Sequence, residues 1–125
     1  MKPHHWYAAA FFVVAFLVTM GASAQEHRQF DDHARQVTKD YYNQHQTHPA
    51  KGFRAKDRLS ANEEAQLEIG KPMPSHLRKK SYRAPSDLRR QLPPPPSHHR
   101  YETVGHHVVL VDTRDHVVRD MIHLH

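Results

Sequence analysis

The chain has 125 residues, with 14 histidines, nine prolines, four glycines, no cysteine and a formal charge of +5. That length holds one small domain and no multi-layer enzyme fold. The missing thiols exclude disulfides, zinc–thiolate sites, cysteine nucleophiles and a lipidated cysteine.

Residues 1–24 read as a secretory signal peptide. Lys2 supplies positive charge, Ala8 to Met20 is apolar throughout, and Ala22-Ser23-Ala24 is an A-x-A cleavage site. The apolar run is 13 residues long, short of the ~20 that a spanning helix needs. Cleavage after Ala24 is therefore expected, with export to the periplasm. The remaining 101 residues carry a net charge of +4, and only 18 of them are Leu, Ile, Val or Phe. Such a composition supports one modest core with much loop.

Residues 26–46 predict an amphipathic helix, because Phe30, Ala34, Val37 and Tyr41 recur at spacings of four, three and four. Gln46 to Asp57, with Pro49 and Gly52 among charges, reads as a flexible linker, so residues 25–58 form a helix-plus-linker segment ahead of a domain at 59–125. Ser60-Ala61-Asn62-Glu63 is a capping box, and the helix it opens should end near Leu67 or Glu68, before Gly70 and Pro72. A short strand is expected around Tyr82, and a helical turn from Ser86 that stops at Pro93 to Pro96.

Gly105 to Val111 and Val117 to Leu124 are β-branched runs around a turn, and predict a hairpin. A three-residue loop at Arg114-Asp115-His116 places His107 opposite His123, Val109 opposite Met121 and Val111 opposite Arg119. Val108, Leu110, Val118, Ile122 and Leu124 then share the face expected to meet the core. These elements make a small α+β fold: a C-terminal antiparallel sheet with a hairpin and short helices, preceded by an N-terminal helix.

From Gly70 onward the chain resembles the periplasmic nickel/cobalt homeostasis proteins of the RcnB-like family. The resemblance rests on Gly70-Lys71-Pro72-Met73-Pro74, on Tyr82 before a helical segment, on Leu92-Pro93-Pro94-Pro95, and on Gly105 followed by Val109-Leu110-Val111-Asp112. It covers about 55 residues in the family's order. The family tends to have glycine and tryptophan after the prolines, where this chain has His98 and Tyr101, and glycine in the last turn, where His116 stands. The resemblance implies a small periplasmic α+β domain linked to nickel and cobalt handling. It implies no catalytic residues, and it carries over no ligand set.

Twelve histidines follow Ala24, and neutral imidazole suits nickel, cobalt, copper and zinc. His123-x-His125 puts two rings on one strand face, and the hairpin register adds His107, giving three imidazoles on the face away from the core. His98 and His99 stand behind them as further candidate ligands. His106 and His107 point to opposite strand faces and do not chelate as a unit. No HExxH motif, nucleophile elbow, phosphate loop or paired-carboxylate signature is present, so no enzyme is expected.

Lys71 to Arg90 holds seven basic side chains against Asp87 alone, a patch that suits anionic lipids or glycans of the envelope. An exported chain meets little nucleic acid. Two functions follow: a non-enzymatic accessory in nickel/cobalt homeostasis, acting through metal ions or a metal-export system, and a basic envelope-binding protein. Imidazole–metal binding vanishes below about pH 6, whereas polyanion binding weakens with salt.

Overall fold

The computed structural model describes residues 30–124. The leader, its cleavage site, residues 26–29 of the expected first helix, and His125 lie outside the described residues.

Helix α1 spans Asp32–Gln44. Asp31 caps it, its carboxylate accepting the Ala34 amide at 2.7 Å, so the helix starts later than the apolar periodicity alone suggests. Phe30, Ala34 and Tyr41 are buried as expected. Thr38 is buried beside them, its hydroxyl satisfied by the Ala34 carbonyl at 2.8 Å, which lets a polar residue sit on the apolar face. Helix α2, Ala61–Gln66, opens on the expected capping box: Ser60 Oγ accepts the Glu63 amide, and Glu63 accepts the Ser60 amide. Two single-turn helices follow, α3 at Ser75–Arg78 and α4 at Ser86–Arg89, each started by a proline and each burying one leucine, Leu77 and Leu88.

Four strands, β1 (Tyr82–Arg83), β2 (His99–Val104), β3 (His107–Asp112) and β4 (Val118–His123), form an antiparallel sheet in the order β1-β2-β3-β4. Strands β2 and β3 are joined by Gly105-His106, with φ of 55° and 63°, the left-handed pair that a two-residue hairpin of type I′ requires. The strand expected from Gly105 therefore begins at His107. Gly105 also passes close to Leu59, whose Cγ would lie 2.3 Å from any added Cβ.

The β3–β4 register pairs His107 with His123 and Val109 with Met121, as the sequence predicts. It then shifts at Leu110/Val111, so Val111 faces Val118 instead of Arg119. This bulge follows from the turn: four residues, Thr113 to His116, separate Asp112 from Val117, and the Asp112 amide bonds the Val117 carbonyl at 3.0 Å. The bulge also moves Val118 to the opposite face from the one expected for it.

Both faces of the sheet are covered. On one face Tyr101, Val108, Leu110 and Ile122 pack with Phe30, Ala34, Tyr41, Phe53 and Leu88. On the other, Val104, Val109, Val111 and Val118 pack with Leu67, Met73 and Leu77. The face expected to carry histidines away from the core therefore has a core of its own. Each fully buried aliphatic side chain contributes about 1.5–3 kcal/mol.

The segment expected to be a flexible linker is packed against the sheet, so no break in packing falls at residue 58. Phe53 is buried in the first core. The Gly52 carbonyl accepts the His106 amide at 2.8 Å, and the Lys51 carbonyl accepts the Thr103 hydroxyl at 2.7 Å. Gly52 has φ of 93° and lies so near strand β2 that an added Cβ would come within 2.9 Å of the Thr103 carbonyl carbon.

Candidate metal centre

The capping box fixes where α2 begins and so which way its first turn faces. Glu63 turns outward to Lys80, 2.6 Å away. Glu64, next along the helix, turns inward over the second core, where Leu67 of the same segment packs on the sheet. There Glu64 Oε2 meets His107 Nε2 at 2.8 Å. His107 is fully buried at the first position of β3, while the Glu64 side chain is 29% exposed. The β3–β4 register sets His123 beside His107, with ring centroids 4.4 Å apart and an edge-on arrangement.

One ligand atom from each of Glu64, His107 and His123 lies within 4.8 Å of the others. Two imidazoles and a carboxylate are a mixed nitrogen/oxygen set suited to zinc, nickel, cobalt or copper. Ligand bonds of about 2.0–2.2 Å put donor atoms on the order of 3.3 Å apart around a tetrahedral ion. The 2.8 Å Glu64–His107 contact therefore needs to open only slightly for an ion to replace the bridging proton, while His123 moves inward. His123 is exposed and His107 buried, so the cluster is open toward solvent on one side and anchored in the core on the other. Such an arrangement suits capture of an ion from solution.

Of the residues expected from sequence, the structure brings together His107 and His123. It does not bring in His98 and His99. His99 stands opposite Asp112 at the other end of β3, and Asp112 is five residues from His107, about 17 Å along the strand. Its ring is tied down locally, with Nδ1 2.7 Å from the Ser97 carbonyl and Nε2 3.9 Å from Asp112. His98 is exposed in the preceding turn with φ of 62°. His106 is buried at the β2–β3 turn, where its ring nitrogens meet the Tyr42 hydroxyl and the Arg54 carbonyl, each at 2.7 Å.

Sequence reasoning misses Glu64 because 43 residues separate it from His107, and no local motif announces that contact. The capping box is the nearest signal, since it fixes the helical phase in which Glu64 points inward.

The far end of the hairpin holds a second charged cluster. Asp112 is fully buried and accepts Arg114 through its amide at 2.9 Å and its guanidinium at 2.9 and 3.2 Å, with Arg119 at 3.4 Å. The Arg114 guanidinium and amide hold the Asp112 carboxyl well below the usual carboxylate range. With every lone pair directed at these donors, Asp112 serves the turn.

No family model and no curated protein matches the chain. Among solved structures, it is similar to the C-terminal domain of inner membrane protein CigR from Salmonella enterica, with a TM-score of 0.51 and 24% identity over 73% of this chain and 80% of that one. The likeness is one of fold: a small antiparallel sheet with short helices. Among the described residues no helix is long and apolar enough to cross a membrane.

Proposed function

We propose that this chain is a non-enzymatic accessory protein of the bacterial periplasm, of the RcnB-like kind, that holds a divalent transition-metal ion in nickel/cobalt homeostasis. The observation that carries the reading is the meeting of Glu64, His107 and His123 from three separate elements, with one ligand atom of each within 4.8 Å of the others. The protein's part is to take up an ion, or to present one to an export system, with no bond made or broken in a substrate.

Three further observations support the envelope and family parts. The sequence of residues 1–24 has the charge, apolar run and A-x-A site of an export leader. The fold likeness is to a domain of an inner membrane protein. His98 and His116, which stand where the RcnB-like pattern has glycine, have φ of 62° and 63°; both belong to the left-handed region that glycine occupies most readily.

Equilibrium dialysis of residues 25–125 against nickel, cobalt, copper and zinc tests the metal reading. The expected result is one ion per chain at micromolar free metal. Retention of none of the four ions, or of several ions per chain only at millimolar metal, would contradict it.

A further inference from the structure

A second constellation lies at the β1/β2 side of the sheet, away from Glu64, His107 and His123. A cleft of about 330 Å³ opens there between α4 and the start of β2. Arg83, Arg89, Arg90 and Arg100 line it, with His99 and Tyr101 beside them. Pro95 forms part of its rim and belongs to the run Pro93 to Pro96, all four exposed.

The arginines divide into those held by the fold and those available. The Arg89 Nε donates to the Ala84 carbonyl at 2.8 Å, and Arg100 pairs with Glu102, which is buried. Arg83 and Arg90 are exposed, and among the described residues neither forms an ion pair or side-chain hydrogen bond. No carboxylate lines the cleft. Arg83, Arg89 and Arg90, none of them paired with a carboxylate among the described residues, favour an anion in this concavity, and planar guanidinium forks match phosphate oxygens. The exposed prolines beside the cleft add an apolar margin that a simple anion would not use.

We propose that this cleft binds the phosphate headgroup of an anionic envelope lipid, with Arg83 and Arg90 as the principal contacts and the proline rim against the lipid's apolar part. Charge complementarity selects the phosphate, and the adjoining apolar rim selects a lipid over a free phosphate ester. The proposal rests on the periplasmic location argued above and not on the metal centre, so the two fail separately.

The test is co-sedimentation of residues 25–125 with phosphatidylcholine vesicles, with and without phosphatidic acid. Arg83→Gln/Arg90→Gln is compared with Arg78→Gln/Lys79→Gln, which removes the same charge from exposed positions outside the cleft. Binding should require phosphatidic acid and should fall about 30-fold in the cleft variant, at the ~1 kcal/mol that each basic residue contributes near an anionic surface. It should fall no more than a few-fold in the control. Equal losses in the two variants would overturn the cleft in favour of a diffuse basic face. Absence of binding to the phosphatidic acid vesicles would overturn it outright. Saturation of the cleft by soluble glycerol phosphate at the same concentration as lipid phosphate would overturn the lipid and leave a small phosphate ester as the occupant.

Discussion

His107 Nε2 and Glu64 Oε2 lie 2.8 Å apart, joining the first residue of β3 to the first turn of α2. This contact pins a six-residue helix onto the sheet and gives Nε2 of a fully buried imidazole its partner. The same two atoms, with His123 alongside, form the candidate metal centre. Stability and metal capture therefore use one carboxylate.

Replacing Glu64 separates the two roles. Glu64→Ala leaves the buried imidazole without this acceptor and should cost about 1–3 kcal/mol. Glu64→Gln keeps a neutral acceptor at the same place and should cost less. Urea unfolding of the metal-free variants measures both, and equal stability of Glu64→Ala and the wild type would show that the contact contributes nothing.

Gly52 should be intolerant of a side chain. Its φ of 93° and the Thr103 backbone 2.9 Å from a Cβ leave no room on a wall of the sheet. Gly52→Ala should lose about 2–4 kcal/mol through strain and displacement of β2. Thermal unfolding would reveal it as a clear drop in Tm; an unchanged Tm would mean that residues 50–57 are not tied to the sheet as described.

How much of this was legible in the sequence varies with the range of the interaction. The α1 face followed from helical spacing, because Phe30, Ala34 and Tyr41 are apolar residues in one local phase. The His107–His123 pairing followed from turn length and β-branched runs. The bulge at Val111 did not, since it depends on whether the loop holds three residues or four, and Thr113 suits either. Phe53 was hidden because one aromatic residue among charges, a proline and a glycine has no periodicity. The bonds that hold Lys51 and Arg54 on either side of it reach Thr103 and His106, each 52 residues away. Glu64 was hidden for the same reason, so the sequence offered two of the three candidate ligands and no carboxylate.

The last turn should be open to improvement. His116 has φ of 63°, a conformation that disfavours a side chain by roughly 1 kcal/mol. His116→Gly should stabilise the chain by up to about 0.5 kcal/mol after the greater freedom of glycine in the unfolded state is counted. Denaturant midpoints compare the two chains directly, and a loss of stability would assign the His116 ring a packing role.

Acid sensitivity should centre on Asp112. Its folded-state pKa is depressed, chiefly by the Arg114 guanidinium. Its contribution is therefore fully present above the unfolded value of about 3.9 and is lost as pH falls below it. Glu63, lowered to about 2 by Lys80 and the Ser60 amide, acts in the same direction, weakened by its contact with solvent. Asp112→Asn should be less stable at pH 7 and should show a shallower loss of stability between about pH 5 and pH 2. Parallel acid limbs in the two chains would place the sensitivity elsewhere.

The proposed metal site takes one ligand from each of α2, β3 and β4. Calorimetric titration of residues 25–125 with nickel at pH 7.5, beside Glu64→Gln, His123→Ala and His99→Ala, tests it most directly. One-to-one binding at micromolar affinity is expected, weakened at least about tenfold in each of the first two variants and unchanged in His99→Ala. Binding that survives intact in Glu64→Gln and His123→Ala would contradict the site.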